Sequence, residues 1–219
     1  STRPEKRAGD DSIWDKSESS LKSALDNNKV IWKINEGDGA FYGPKIDFSL
    51  TDSLEREWQL GTIQLDFSMP DRLNASYIDQ DGQKRIPVMI HRAILGSIER
   101  FVGILIEEYA GDMPLWLAPT QVVILNITSN QENYCNNIEN SLQNNNVRVI
   151  CDLRNEKISF KIREHTLSKI PYIIIIGDKE VADNKISVRT RSGVDMGQMT
   201  VENFMKMLDT HVIEKSLTI

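Results

Sequence analysis

Apolar residues recur along the first part of the chain with two different periods. From Ser12 onward the spacing is helical, and Ser12 and Asp15 have the spacing of a capping box, so we expect a helix that ends at the Asn27–Asn28 pair. Alternation of apolar and polar residues then predicts antiparallel strands with one polar face. The predicted strands cover Val30–Ile34, Lys45–Thr51 and Glu57–Phe67.

A long helix is predicted from Ala93, where the apolar spacing becomes helical again, to Gly111 as its C-cap. The segment Asp112–Pro119 contains two prolines and breaks this pattern. We therefore place a domain boundary there, between a domain of residues 1–113 and a domain of residues 114–219.

The second domain alternates strands with helices, which is typical of α/β organisation. Its predicted elements are, in order, a strand Val122–Ile127, a helix with Tyr134, Ile138 and Leu142, a strand Val147–Cys151, a helix Asn155–Lys169, strands Tyr172–Ile176 and Ile186–Thr190, a Ser192–Gly193 turn, and a helix from Val201 to about His211. The expected fold class is thus α+β followed by α/β.

Composition narrows the class of protein. Hydrophobic residues make up 40% and charged residues 26% of the chain, as in ordinary globular proteins. No apolar stretch approaches membrane-spanning length, and Ser1–Asp10 lacks the apolar part of a secretory signal, so we expect a cytoplasmic protein without a membrane role. Cys135 and Cys151 lack metal-binding spacing and are expected to be reduced core residues. The net charge of -6 argues against indiscriminate binding to nucleic acid but allows a local basic face.

The run Val88–Arg100 joins a strand to the long predicted helix and offers the first candidate chemistry. Helical spacing would place Gly96, Ser97 and Arg100 on one face. Small side chains there would admit a flat ligand, and Arg100 could lie over an aromatic base or pair with phosphate. The alternative is a helix with a glycine packing contact and a solvated arginine.

Several segments resemble one family. Ile98-Glu-Arg100 resembles motif 3 of class II aminoacyl-tRNA synthetases, although Leu95 departs from the small residues usual there. The segments Gly37–Asp47, Gln59–Phe67 and Met89–Arg100 resemble threonyl-tRNA synthetases in the same order, and Asp152–Ile158 and Gly177–Glu180 resemble the anticodon domain of that family. The resemblance implies a partial class II antiparallel sheet with the motif 3 helix, followed by a mixed-sheet anticodon-binding domain.

The resemblance implies a site for ATP, with Mg²⁺, and for threonine. Its residues would be Tyr42, Lys45, Gln59, Gln64, Ser97 and Arg100, with Arg100 and Lys45 acting in catalysis. The alternative for the sheet residues is the solvated face of an antiparallel sheet. Strict alternation puts Gln59 and Gln64 on opposite faces, so both can line one pocket only if a bulge intervenes, for which Gly61 is the natural place.

His91 is by default a structural histidine, but the resemblance implies that it is a zinc ligand. The family's other two protein ligands, a cysteine and a histidine, would lie upstream of this chain. Zinc that coordinates the amino and hydroxyl groups of threonine would separate it from valine. The family's editing domain and its motifs 1 and 2 are not in this sequence, so we expect the chain not to catalyse aminoacylation alone. The parent enzyme is expected to be a homodimer.

In the second domain the resemblance implies that threonine tRNA is the partner. Polar residues after strand ends would read unpaired anticodon bases on their exposed edges, while cations hold phosphates. The candidate residues are Asn155, Lys157, Lys179, Glu180 and Arg189, with Arg154 and Arg191 nearby. The alternative is scattered surface charge.

Two other functions stay open. One is a non-catalytic RNA-binding or regulatory relative on the synthetase scaffold, in which His91, Tyr42, Gln59 and Arg100 would be free to change. The other is a class II synthetase for proline, glycine or histidine, which shares the anticodon domain. The Met-Ile-His-Arg-Ala segment around His91 argues against the latter.

Overall fold

The computed structural model describes residues 1–217, and the chain divides into two compact units. The first unit is Ser1–Glu108, and the second begins at Tyr109. Each has a sheet of its own. The domain boundary expected after residue 113 stays a prediction.

The first unit contains three helices and five strands among its described residues. In chain order they are α1 (Asp11–Asn27), β1 (Lys45–Thr51), β2 (Glu57–Asp66), α2 (Met69–Arg72), β3 (Tyr77–Ile78), β4 (Lys84–Arg85), β5 (Met89–Ala93) and α3 (Ile98–Glu108). β1, β2 and β5 form an antiparallel sheet in that order, and β3 pairs with β4 in a small hairpin. The predictions of β1 and β2 are confirmed.

The capping box predicted for α1 is wrong. The helix begins at Asp11, before Ser12, and the amides of Ile13 and Trp14 already bond to the carbonyl of Asp10. Ser12 and Asp15 therefore lie inside the helix, and Asp10 takes the N-cap position without a side-chain cap hydrogen bond. Trp14 is fully buried and anchors α1 by an edge contact with Phe67, with ring centroids 6.0 Å apart. The helix ends at Asn27, as predicted.

The strand predicted at Val30–Ile34 is also wrong, because this segment has no regular structure. Its apolar alternation is that of a strand, but no strand of residues 1–217 pairs with it. Ile31 is fully exposed, so the alternating apolar side chains of this segment do not form a buried face among the described residues.

The long helix begins at Ile98 and not at Ala93. β5 continues to Ala93, and Gly96 takes a left-handed backbone conformation with φ of +65°, which a helix cannot continue through. Ser97 then caps α3 by accepting a hydrogen bond from the Arg100 amide at 3.3 Å. Gly96, Ser97 and Arg100 consequently do not form one helical face. α3 ends at Glu108, and Gly111 follows it with a positive φ.

The second unit alternates strands and helices as predicted. Its elements are β6 (Val122–Asn126), a 3-10 turn (Ser129–Gln131), α4 (Glu132–Asn144), β7 (Val149–Asp152), α5 (Ile158–Leu167), β8 (Tyr172–Ile176), α6 (Asp178–Asp183), β9 (Ile186–Thr190), β10 (Asp195–Met199) and α7 (Val201–Ile213). The sequence did not predict α6 or β10. α5 begins at Ile158, three residues later than expected, since Asn155–Lys157 belong to the preceding loop.

The sheet of the second unit is mixed, in the order β10-β9-β8-β6-β7. β6 pairs in parallel with β7 and β8, whereas β8–β9 and β9–β10 are antiparallel. The carboxyl ends of β6, β7 and β8 therefore meet at one edge, together with the beginning of β9. We call this the carboxyl edge.

Helices cover both faces of this sheet. One face packs against α4 and α7 through a cluster that includes Ile138, Leu142, Ile174 and Phe204. The other face packs against α5 through a second cluster, which includes Val123 and Ile173. Cys135 and Cys151 are free thiols, and burial raises the pKa of Cys135 to about 11. Within residues 1–217, no helix is long and apolar enough to cross a membrane.

Candidate functional site

A β-bulge places the two glutamines of β2 on one face of the first sheet. Gly61 pairs with Phe48, and Gln59 pairs with Ser49, so Leu60 is the extra residue. Because a bulge inserts one residue, the side chains on either side of it change parity. Gln59 and Gln64 thereby share a face, and the predicted bulge at Gly61 is confirmed.

The polar residues of this face are joined by hydrogen bonds to Asp47, which sequence reasoning did not single out. Gln59 donates from its amide to Asp47 Oδ1 at 2.6 Å, and the Thr62 hydroxyl donates to the same oxygen at 2.9 Å. We call the set Lys45, Asp47, Gln59, Thr62, Gln64 and His91 the polar sheet face. Asp47 and Thr62 were missed because alternating polar residues on a strand are the ordinary signature of a solvated face.

Lys45 places a cation on the polar sheet face. Its ammonium lies 3.1 Å from carboxylate oxygens of both Asp38 and Asp47. Burial alone lowers the pKa of Lys45, but the two carboxylates outweigh it and raise the pKa. The ammonium is therefore charged at neutral pH and suited to binding an anionic group.

His91 lies next to Gln64 across the β2–β5 pair, and its imidazole is oriented by a carboxylate. Its Nε2 lies 2.9 Å from Oδ2 of the buried Asp66. Burial raises the pKa of Asp66, yet bonds from the Met69 amide and from His91 outweigh burial, and the pKa is lowered. The Tyr42 hydroxyl donates to Gln64 Oε1 at 3.1 Å, so these predicted site residues meet in space.

The chemistry of His91 fits one ligand of a metal. A ring nitrogen bonded to a carboxylate leaves the other nitrogen for coordination, which is the usual arrangement around metal-bound histidines. However, residues 1–217 contain no group of three or more His, Cys, Asp or Glu side chains that could hold a metal ion. This part of the chain thus offers one imidazole and its orienting carboxylate, and not a whole metal site.

Ser97 and Arg100 lie at the start of α3, next to the bulge. A Cβ on Gly96 would lie only 2.8 Å from the Leu60 carbonyl oxygen, and a Cβ on Gly61 would lie 3.0 Å from the Ile94 carbonyl oxygen. Two glycines thus allow the bulge and the segment before α3 to approach closely. Ser97 donates to the Glu99 carboxylate at 2.7 Å. The Arg100 side chain has no hydrogen bond or ion pair with residues 1–217 and is exposed.

The second unit presents three of its predicted site residues at the carboxyl edge. Asn155 and Lys157 lie in the exposed loop between β7 and α5, and Lys179 lies in the first turn of α6, after β8. Among the described residues their side chains have no hydrogen-bond partner. They are available to a ligand.

Glu180, which follows Lys179 in α6, is fixed in place. Its Oε1 accepts from Ser187 Oγ at 2.8 Å and from Gln198 Nε2 at 2.6 Å, and its Oε2 accepts from the Gly177 amide at 2.9 Å. Burial raises the pKa of Glu180, but these donors outweigh it and lower the pKa. Glu180 is therefore an oriented carboxylate with acceptor capacity left on Oε2. Gln198 was missed because β10 was not predicted, and Ser187 was not singled out although its strand, β9, was predicted.

Arg189 does not follow the carboxyl end of a strand, as the sequence had suggested. It lies within β9, opposite Ile173 of the antiparallel β8. Since Ile186 and Val188 pack on the side of α4 and α7, Arg189 and Ser187 project on the α5 side, where both are partly exposed. Its Nη2 lies 3.6 Å from where a Cβ on Gly193 would be, in the turn between β9 and β10, so in this conformation the guanidinium lies toward the opposite edge of the sheet.

The other two arginines have structural partners. Arg154 donates to Asp152 from Nε at 2.8 Å and from Nη2 at 2.7 Å, and also to Glu164. Arg191 donates to backbone carbonyls of Met113 and Asp112, away from the carboxyl edge. Neither guanidinium is free to read a base in this conformation.

Two family models match consecutive parts of the chain. Residues 9–109 match the tRNA synthetase class II core domain (G, H, P, S and T). Residues 121–211 match an anticodon binding domain.

Known relatives match along the whole chain. The threonine–tRNA ligase of Marinobacter nauticus is 58% identical over 218 residues, which is 100% of this chain and 34% of that protein. The threonine–tRNA ligase of Saccharophagus degradans is 58% identical and matches 99% of this chain and 34% of that protein. The chain thus spans about a third of the length of these curated relatives.

A solved structure is also similar. The RNA-binding domain of threonyl-tRNA synthetase from Cryptosporidium parvum Iowa II has a TM-score of 0.86 and 40% identity, and the match covers 95% of this chain and 53% of that one. Together with the two consecutive domain matches, this likeness shows that the chain belongs to the class II tRNA synthetase family, where it groups with the threonine–tRNA ligases.

Proposed function

We propose that the second unit reads the anticodon of threonine tRNA and that the first unit contributes part of the ATP and threonine site of a threonine–tRNA ligase. The observation that carries the proposal is the arrangement at the carboxyl edge. The free side chains of Asn155, Lys157 and Lys179 and the fixed carboxylate of Glu180 all follow the carboxyl ends of strands at this one edge. The fold and family matches support the same assignment.

The chemistry of these groups suits unpaired bases. Asn155 offers both donors and acceptors, and Glu180 offers an acceptor to the N–H groups of a base edge. Arg189 supplies donors from the α5 side, and Lys157 and Lys179 supply cations for the phosphates on either side. Amide and carboxylate contacts would decide which anticodon binds, whereas the lysines would strengthen binding to any RNA.

In the first unit, the polar sheet face and the start of α3 would bind ATP with Mg²⁺ and threonine. Threonine's carboxylate would attack the α-phosphate of ATP, and pyrophosphate would leave with its Mg²⁺. Arg100 and Lys45 would stabilise the negative charge that develops, while Gln59, Ser97, Tyr42 and Gln64 would orient the substrates. Since Lys45 is paired with Asp38 and Asp47 in the free protein, its contact with phosphate requires an exchange of partners.

His91 is proposed as the zinc ligand that this part of the enzyme contributes. When bound, zinc would coordinate the amino and hydroxyl groups of threonine and so reject valine, which an apolar pocket cannot easily do. Asp66 would hold the imidazole in the required orientation. For the longer enzyme we also propose a homodimer and a cytoplasmic location.

The test is binding of this chain to threonine tRNA transcripts with wild-type and altered anticodons at one salt concentration. We expect the altered anticodon to weaken binding. Asn155→Ala or Arg189→Ala should reduce the ratio of the dissociation constants for altered and wild-type transcripts about tenfold, as the loss of one contact with a charged or base-pairing group would. Asn137→Ala and Lys206→Ala are the controls, because both residues are exposed on helices of the other sheet face. Equal binding to all RNAs would overturn the proposal and favour a regulatory relative.

A further inference from the structure

Lys161 is a buried cation behind the carboxyl edge. It lies in the first part of α5, and its side chain is only 1% exposed. Its ammonium donates to Asn126 Oδ1 at 2.8 Å, to the Asp152 carbonyl at 3.0 Å and to the Asn126 carbonyl at 3.3 Å. Asn126 ends β6 and Asp152 ends β7, so one ammonium joins two neighbouring strands where they reach the edge.

A buried lysine at this position has an unfavourable desolvation free energy, which stability alone does not explain. All three of its acceptors are neutral oxygens, and it forms no ion pair with a carboxylate of residues 1–217. Removing an ammonium from water costs several kcal/mol in order of magnitude, and an apolar side chain of similar length often packs as well or better. The position is therefore better explained by what the three bonds hold in place.

Those bonds hold the beginning of the loop that carries Asn155 and Lys157. The carboxylate of Asp152 accepts from Arg154 and from His165 Nε2, the latter at 2.8 Å. The carbonyl of Asp152 is bound to Lys161, so its carbonyl and its carboxylate are both tied to α5, the first through Lys161 and the second through His165. The loop after β7 leaves from a fixed residue, and its reading side chains remain unbonded.

We propose that Lys161 is a positioning residue for anticodon recognition, which fixes the loop of residues 153–157 through Asp152 and Asn126. The proposal rests on the proposed function of the second unit. A loop that is already ordered loses less conformational entropy when it binds, and a fixed amide can discriminate between base edges. Without the ammonium, the two carbonyls and the Asn126 side-chain oxygen lose this donor, and the start of the loop is held only through the Asp152 carboxylate.

The proposal can be separated from a simple effect of charge. A buried cation also raises the electrostatic potential at the surface and would attract any RNA, whatever its anticodon. Loss of that attraction weakens binding of wild-type and altered tRNA by the same factor. Loss of positioning weakens binding of the wild-type anticodon selectively. It therefore lowers the ratio of the dissociation constant for the altered tRNA to that for the wild-type tRNA.

The experiment measures this ratio for the 219-residue chain and its Lys161→Met variant, which keeps the side-chain length without the charge. We expect Lys161→Met to lower the ratio about tenfold, as the loss of hydrogen bonds to a charged group would. Lys206→Met makes the same change at an exposed site of α7 and should leave the ratio unchanged. A folded Lys161→Met protein with the wild-type ratio overturns the proposal, including when its binding to both RNAs is weaker by one factor.

A second variant decides the matter if Lys161→Met does not fold. Asn126→Ala removes one acceptor and leaves the ammonium with its two backbone carbonyls, so the ratio should fall by about threefold. An unchanged ratio in folded Asn126→Ala would overturn the proposal. If the unmodified chain itself shows no preference for the wild-type anticodon, the proposed function fails and this inference fails with it. If the unmodified chain shows the preference and the folded variants keep it undiminished, the inference alone fails.

Discussion

The carboxylate of Asp152 sets an expectation at the scale of a single residue. Hydrogen bonds from Arg154, and then from His165, hold the pKa of Asp152 well below its ordinary value of 3.8, although burial opposes them. A carboxyl with a lowered pKa stabilises the folded state above its unfolded pKa, and this stabilisation is lost as the pH falls toward the folded pKa. We therefore expect the free energy of unfolding of the second unit to fall as the pH is lowered below about 5. In Asp152→Asn this fall should be shallower, as measured by urea unfolding followed by circular dichroism.

The matched control for this prediction is Asp209→Asn, because Asp209 is exposed on α7 and its side chain has no bond to residues 1–217. The control should retain the full dependence on acid pH. If Asp152→Asn and Asp209→Asn lose stability with the same slope, the bonds around Asp152 contribute nothing to the dependence on pH.

At the scale of elements, Gly96 decides where α3 begins and how it meets β2. Its φ of +65° and the carbonyl of Leu60, 2.8 Å from an added Cβ, both oppose any side chain there. We expect Gly96→Ala to lower the free energy of unfolding of the first unit by roughly 1–3 kcal/mol. Since Ser97 and Arg100 follow directly, the variant should also weaken binding of ATP at the site proposed above, in a longer enzyme that contains this chain. The measurements are urea unfolding and nucleotide titration.

Gly103, which lies inside α3, provides the opposite case. Apart from its chain neighbours and the backbone of its own helix, no atom of residues 1–217 lies within 4 Å of a Cβ added there, and its backbone is helical. Gly103→Ala should therefore stabilise the unit by about 0.5–1 kcal/mol, because alanine is the better helix former. A Gly96→Ala variant that is as stable as Gly103→Ala would show that the left-handed turn is not needed.

How much of this could be predicted from sequence also differs between elements. The bulge at Gly61 was predictable because Gln59 and Gln64 had to share a face, which is a statement about parity along one strand. That Val30–Ile34 forms no strand was not predictable, since a strand needs a neighbouring strand to pair with, and the alternation of residues cannot show whether one is present. Gln198, a donor to Glu180, was missed because it lies on β10, whose residues lack a strand-like apolar pattern. From the sequence alone Lys161 would be taken for a surface lysine, and only the structure shows that it is buried against the ends of β6 and β7.

At the scale of the whole molecule, the two units bury apolar side chains very unequally. Among the described residues of the first unit, Trp14 is the only large apolar side chain that is fully buried, whereas the second unit holds two core clusters. Exposed apolar residues of the first unit include Phe48, Ile90 and Ile98. Because burial of apolar surface is the main favourable contribution to folding, the two units should differ in stability.

We therefore expect the isolated chain to unfold in two steps, the first unit at the lower urea concentration. Hydrogen exchange read by mass spectrometry at increasing urea should show peptides of β1 and β2 losing protection before peptides of β6 and β8. Trp14→Ala should move only the first unfolding step to lower urea concentration. Ile174→Ala, in the core of the second unit, should lower only the free energy of the second step, by about 2–5 kcal/mol. A single step, shifted by both variants, would mean that the units unfold as one cooperative body and that the difference in their cores does not control stability.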